Sequence, residues 1–353
     1  LSTAMSRLIK LLLLAQVSVS TCLAAWAPLN PEETLYVYTS CFDEWAPKDG
    51  TQRKAVAETW FKSWDLKPDN PGTHCFAKCV LEGVGLYDGK TNTMAVSRVV
   101  EQQKAFEKFN SYGPKEVNDL TSALSPIKPS SDCGQLYKVY TPVFEKFKKT
   151  IRSLYHGHKE VTEKIYKSLG SNIKQKDETY ATFCAKKHLA KATKLRHCNI
   201  RQFSMNVKPD DDLKKYIDCL FKGYRYISTD GNFYAPKLLH DFHKIGNTKS
   251  DAKVETVLKG CKDTSAIGYH YCLLASNVED EYGKALQYRE IRSGNYKSVI
   301  EGDKYDETKV EKQFKDILAK VCPNKEEMQK IMKNLEGKKD DYLTLGGGEI
   351  LKS

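Results

Sequence analysis

Lys174 and Lys176 follow the Gly170-Ser171-Asn172 break, and Arg152 and Tyr155 precede it. Later in the chain Ser293, Asn295, Tyr296, Lys297 and Ser298 surround Gly294 in a polar turn. Phosphates select Lys or Arg, hydroxyls and free backbone N–H groups. An adenine ring selects an aromatic or guanidinium face. If these segments meet, they make a cleft suited to ADP or ATP. A second set is aromatic: Trp45, Trp60, Phe61, Trp64, Tyr87, Phe106, Phe109, Phe144 and Phe147 are enough to line an apolar pocket. Lys148 or Lys149 could then meet a lipid carboxylate.

Catalysis and metal binding lack comparable sets. The chain has no phosphate-binding P-loop, dinucleotide fingerprint, G-x-S-x-G or H-E-x-x-H. Gly83-Val84-Gly85 lacks a third glycine and reads as a helix stop. His156 and His158, two apart, point away from each other on a helix and read as exposed polar residues. His240 and His243, three apart, share a face, but Asp241 points elsewhere and completes no site. The expectation is no enzyme, no cofactor and no metal.

The elements that must position these residues begin after a leader. Met5 precedes Arg7, Lys10, the apolar Leu11–Leu14 and a small-residue exit at Ala24 and Ala25, the layout of a secretory signal. The apolar run is too short to span a bilayer, and Leu1–Ala4 reads as upstream translation. Residues 1–25 are thus set aside. Cys22 leaves with them, so ten of the eleven cysteines remain, an even number that in an oxidising compartment implies five disulfides. Cys75 and Cys79, four apart, stack on one helix face, where they can staple that helix to two neighbours. The chain carries a net charge of +11, about +9 without Arg7 and Lys10. That favours anionic partners, but the lysines alternate with acids, so neither nucleic acid nor membrane is expected.

Helical patterning dominates. Apolar residues recur at three- and four-residue steps in Glu32–Trp45, Arg53–Trp64, Cys75–Leu81, Ser97–Phe109 and Cys133–Leu154. The pattern resumes in Val161–Leu169, Asp177–Ala192, Asp211–Phe221, Pro236–Ile245, Lys253–Cys261, Thr264–Arg292 (two helices), Thr308–Val321 and Lys325–Leu335. Tyr224–Ile227 is a short strand candidate. The length suggests two domains, and the cysteines divide into four (Cys41–Cys133) and six (Cys184–Cys322). The expected division is 26–169, 170–335 and a polar tail, 336–353. The fold class is all-α, with two tandem disulfide-stapled helical domains.

Cys41, Cys75-x-x-x-Cys79 and Cys133 resemble the odorant-binding-protein fold with one disulfide missing. With the second domain, the start Trp26-Ala27-Pro28-Leu29-Asn30-Pro31-Glu32-Glu33 and the segment Tyr288–Tyr296, the whole mature chain resembles the long-form D-seven salivary proteins of mosquitoes. The resemblance implies the pairs Cys41–Cys79, Cys75–Cys133, Cys184–Cys219, Cys198–Cys322 and Cys261–Cys272. It also implies a secreted salivary scavenger of host mediators: adenine nucleotides, eicosanoids such as cysteinyl leukotrienes, or biogenic amines. Holding them blunts platelet aggregation and inflammation, by stoichiometric binding and not by turnover.

Amine-binding members of that family place an Asp and a Glu one helical turn apart. Here the matching positions are Gln287 and Glu290, and one lost countercharge makes a buried ammonium costly. The reading therefore favours ADP or ATP at the junction of the domains, with an eicosanoid in the first domain or an amine in the second as alternatives. A chemosensory carrier and an inhibitor of a host protein are further alternatives. The chain is expected to be a monomer.

Overall fold

A computed structural model describes residues 26–110, 112–203, 205, 207–227 and 231–335. The leader, 1–25, and the tail, 336–353, lie outside the described residues. In the first half the helices are α1 (Pro31–Trp45), α2 (Gly50–Ala57), α3 (Pro71–Gly83), α4 (Val96–Phe106), α5 (Pro114–Leu124), α6 (Cys133–Leu154) and α7 (Lys159–Leu169). The second half contains α8 (Tyr180–His188), α9 (Lys194–Arg201), α10 (Asp211–Tyr224), α11 (Ala235–Lys244), α12 (Asp251–Gly260) and α13 (Ala266–Leu274). It continues with α14 (Glu279–Gly294), α15 (Tyr296–Glu301), α16 (Glu307–Leu318) and α17 (Lys325–Leu335). Two short antiparallel strands, Tyr87–Asp88 and Thr93–Met94, form a hairpin.

Local signals explain most of these boundaries. Asn30 caps α1: its side chain accepts from the N–H groups of Glu32 and Glu33, and Glu33 reaches back to the Asn30 N–H at 2.8 Å. Proline at the first turn of α1, α3 and α5 needs no N–H there. Asp49, Asn70, Asp132 and Asp210 cap α2, α3, α6 and α10 in the same way. Helices α5, α9 and α15 were not anticipated; where a polar turn was expected, Ser293 and Gly294 still belong to α14 and Tyr296–Glu301 forms α15. The Asp177–Ala192 pattern shortens to Tyr180–His188, because Leu189 leaves helical geometry. Tyr224–Ile227 is no strand; only an isolated bridge joins Ile227 to Phe233.

Two hydrophobic clusters form, one from Cys41 to Tyr155 and one from Tyr180 to Phe314. Five disulfides brace them: Cys41–Cys79, Cys75–Cys133, Cys184–Cys219, Cys198–Cys322 and Cys261–Cys272. These are the pairs that the resemblance implies. Cys75 and Cys79 fasten α3 to α6 and α1, so the four-residue spacing does staple one helix to two neighbours. Each link removes roughly 3–5 kcal/mol of unfolded-chain entropy, which helps a helical domain tolerate an internal void.

The halves meet at a charged seam. Arg53 of α2 donates to the carbonyls of Val299 at 2.7 Å and Ile300 at 2.9 Å. Asp43 of α1 receives Arg292 at 2.6 Å and Lys244 at 2.7 Å. Lys174, just past the Gly170–Asn172 turn, is buried against Glu32 of α1 at 2.8 Å. Ile300 of α15 packs on the cluster of the first half.

Candidate functional site

The first half encloses an apolar cavity built on two helix faces and an irregular turn. From α3 come Phe76, Ala77, Val80 and Leu81, and from α6 come Tyr140, Phe144 and Ile151, residues one helical turn or a multiple apart. The third wall is Glu58–Ser63, a π-helical turn that continues α2. The sequence pattern anticipated one helix from Arg53 to Trp64. The π turn overrides it: an extra residue per turn brings Trp60 and Phe61 inward together, the local distortion that often marks a binding site. The turn ends at Trp64, in left-handed geometry with φ 54°. Trp60 stacks on Phe76 at 3.9 Å and donates its indole N–H to the Lys67 carbonyl at 2.9 Å.

Polar atoms around this cavity are few. The Tyr38 hydroxyl donates to the main-chain carbonyl of Tyr155 at 3.0 Å. The Tyr155 hydroxyl is buried and has no hydrogen-bond partner among the described residues. Burial pushes its phenol well above the usual range, so it stays a neutral O–H. An unpaired buried hydroxyl costs about 1–3 kcal/mol, which a ligand oxygen would offset. At the rim Arg152 lies over the Trp64 ring at 5.8 Å, and Lys148 is paired with Asp65. The cavity is narrow in this state, about 60 Å³, several waters' worth. The half-buried Phe61 and Trp64 must swing outward for a longer molecule.

Of the nine aromatics singled out in the sequence, Trp60, Phe61, Trp64 and Phe144 line the cavity. Trp45 is exposed, Tyr87 donates its hydroxyl to Asn92, Phe106 packs edge-on to His156, and Phe109 carries Lys108 over its ring. Phe147 packs on the outside of the cluster. The missed liners are Tyr38, Phe76, Tyr140 and Tyr155. For Tyr140 the available signal was its one-turn spacing from Phe144 on α6.

The nucleotide set scatters. Arg152 and Tyr155 belong to the first cavity and its rim. Lys174, Ser293 and Tyr296 do meet at the junction, but each is engaged. The Lys174 ammonium faces Glu32 and donates to the carbonyls of Gln175 and Glu178. Ser293 accepts from the Tyr180 N–H and donates to the Glu290 carbonyl, and Tyr296 donates to Glu32 at 3.3 Å. Lys176 lies over Tyr166, Lys297 reaches Glu301 on the outside, and Asn295 and Ser298 form the cap of α15. Beside Lys174 an open groove of about 370 Å³ runs past Phe183, Lys187, Lys222 and Arg225.

The two positions of the amine site separate. Glu290 is sealed inside the second half, where it accepts from Arg201 at 2.9 Å, Tyr224 at 2.6 Å and the Ala181 N–H at 3.1 Å. Gln287 instead faces a surface groove with Glu279, Glu307 and Glu311. The histidine readings need correction. His156 is not exposed: it is buried in the left-handed turn after α6, and burial lowers it to about 4. Asp241 is no bystander, since it accepts from the Tyr226 hydroxyl at 2.8 Å and faces Arg289 and Arg292. Among the described residues no cluster of His, Cys, Asp and Glu could hold a metal, and no helix is long and apolar enough to cross a membrane.

Two disulfide-clamped helical units, one with an internal apolar cavity, define a small-molecule carrier of the odorant-binding type. The model of the PBP/GOBP family matches residues 167–279. The long form salivary protein D7L2 of Anopheles darlingi is 35% identical over 88% of this chain and 97% of its own. Three solved structures share the fold. The AnSt-D7L1-U46619 complex has a TM-score of 0.74 at 31% identity, covering 83% of this chain and 97% of its own. The AeD7-leukotriene E4 complex has a TM-score of 0.73 at 32% identity, covering 80% and 96%. Culex quinquefasciatus D7 long form 1, solved with ADP, has a TM-score of 0.75 but 24% identity over 84% and 99%, a likeness of fold alone. The chain belongs to the long-form D7 salivary proteins of mosquitoes, and like them it is secreted.

Proposed function

We propose that this protein sequesters an oxygenated lipid mediator, of the eicosanoid class, in the cavity of its first half. The observation that carries this reading is the cavity itself: walls of carbon from α3, α6 and the π turn, with the buried Tyr155 hydroxyl left without a hydrogen-bond partner among the described residues. Such a site buries the hydrocarbon of a lipid and leaves its carboxylate near Arg152, which lies over Trp64. The relatives solved with U46619 and leukotriene E4, both above 30% identity, support the same class of ligand. Removing such mediators in the bite wound would blunt platelet aggregation and inflammation without turnover.

A second reading places ADP or ATP in the groove beside Lys174. Its support is the width of that groove and the cations Lys187, Lys222 and Arg225 along it. Against it, Lys222 is tied to Asp218 at 2.8 Å and Lys174 is spent on Glu32. Amine binding has less support, since Glu290 is closed off by Arg201.

Calorimetry with leukotriene E4, U46619, ADP, ATP, serotonin and histamine separates these readings. Heat with the lipids alone supports the first, and heat with ADP alone moves the function to the groove. No heat with any of them would point to a host protein as partner. Incubation with ATP is expected to release no phosphate.

A further inference from the structure

We propose that the small cavity between the two halves, walled by Tyr36, Lys237, Arg289 and Arg292, binds one monovalent anion of halide size. It is a different site from the lipid cavity and from the groove beside Lys174. The walls come from both halves: Tyr36, Ser40 and Asp43 from α1, Lys237, His240 and Asp241 from α11, Arg289 and Arg292 from α14.

Charge is the first argument. Beside the Lys174–Glu32 pair, Arg53, Arg225, Lys237, Lys244, Arg289 and Arg292 converge on the seam, where the other carboxylates are Asp43, Asp241 and Glu33. Asp43 alone takes up Arg292 and Lys244 at direct contact. Positive charge is therefore left over around Tyr36, and buried charge without a partner is costly.

Geometry supplies the second. Arg289 Nε and Arg292 Nη1 are buried and have no hydrogen-bond partner among the described residues. Their nearest carboxylate oxygens, both on Asp241, stand off at 3.7 and 3.8 Å. Arg225, Arg289 and Lys237 lie over the Tyr36 ring at 5.2, 5.2 and 5.8 Å. Lys237 also donates to Ser40 at 3.1 Å. Lys237, Arg289 and Arg292 line a cavity of about 20 Å³, room for one small ion or a water or two. A nucleotide does not fit.

Tyr36 reports the sign of the field. Burial alone would raise its phenol, yet Arg289, Lys237 and Arg225 hold it below the usual range. At this point the protein favours negative charge strongly enough to outweigh desolvation. A halide there would satisfy the free guanidinium donors and bridge α1 to α11 and α14.

The test is thermal unfolding at constant ionic strength with chloride or bromide replacing gluconate. The midpoint should rise by roughly 2–4 °C at tenfold excess over Kd and go on rising with the logarithm of the halide concentration. Arg289→Gln and the half-buried Lys237→Gln should each abolish the halide-specific part. Crystals grown in bromide should show anomalous density between Arg289 and Lys237. Equal midpoints in halide and gluconate, or no bromide in the cavity, would overturn the proposal. Tyr36→Phe should keep the halide response. Loss of that response, together with tyrosinate absorbance of the unaltered protein at neutral pH, would make Tyr36 itself the anion and equally overturn it.

Discussion

Arg201 Nη2 meets Glu290 Oε1 at 2.9 Å inside the second half, with both side chains closed to water. The pair is not isolated: Arg201 also donates to Thr182 at 3.2 Å, and Glu290 accepts from Tyr224 and the Ala181 N–H. A buried ion pair of this kind contributes less than it costs to break, because removing one partner strands the other. Glu290→Gln should lower stability by about 3–5 kcal/mol, read from the midpoint of urea unfolding at an unchanged slope. A change below about 1 kcal/mol would show that Arg201 finds another acceptor or water.

Tyr155→Phe probes the lipid reading. The substitution removes one oxygen from the apolar cavity and leaves its shape intact. It should be neutral or slightly stabilising, since the hydroxyl has no partner. A hydroxylated eicosanoid should lose roughly tenfold in affinity, about 1.4 kcal/mol, while arachidonate binds unchanged. Competition against a fluorescent fatty acid measures both. Equal losses for both lipids would show that Tyr155 acts by shape and not by its hydroxyl.

Filling the cavity probes the same reading by volume. Val80 faces it from α3 and is half-buried, so Val80→Phe can occupy the void without crowding the core behind it. Lipid affinity should fall at least tenfold while the thermal midpoint moves by no more than a few degrees. Retained lipid binding in a folded Val80→Phe variant would place the ligand elsewhere.

Which of these features the sequence made legible follows from their range. The clamp was legible because four-residue spacing at Cys75 and Cys79 is a local property of a helix, and the capped, periodic α6 has the anticipated ends, Cys133 and Leu154. The π turn was not, because Trp60 and Trp64 fit a regular helix equally well on paper and only packing against Phe76 selects the distortion. The junction lysines were the harder case. Sequence marks Lys174 as basic, but it cannot show that Glu32, far away in the chain, takes up that charge. Nor could periodicity tell that Tyr155, past the end of α6, turns into the apolar cavity.

Two buried histidines set an acid limit. Burial lowers His156 to about 4 and His270, hydrogen-bonded to Tyr282 at 2.9 Å, to about 3. Both start from an ordinary 6.5, so between that value and the folded one the unfolded chain binds more protons. Stability is therefore fully present above about pH 6.5 and falls as the pH drops toward 4. The drops from 6.5 to about 4 and to about 3 correspond to roughly 3–5 kcal/mol per group. Urea midpoints measured from pH 7 to 4 should decline, and His156→Gln should flatten part of the slope. A midpoint independent of pH over this range would contradict the burial of both rings.

The seam should come apart in a still lower window. Asp43 is held well below the usual carboxylate range although burial opposes this, with His240, Arg292 and Lys244 as the charges and donors that prevail. A depressed carboxylate contributes stability above its unfolded value, near pH 4, and loses it as the pH falls toward the folded one. At neutral pH, Asp43→Asn should mimic that loss. It would leave Arg53 and Arg292, both buried, without their shared carboxylate, a cost of about 3–5 kcal/mol. The disulfides lie within each half, so the halves themselves should stay folded while the seam loosens. Limited proteolysis is the discriminating measurement: cutting should concentrate at Gly170–Lys176 and release two disulfide-bonded fragments. Uniform degradation would instead mean that the seam and the two cores unfold as one unit.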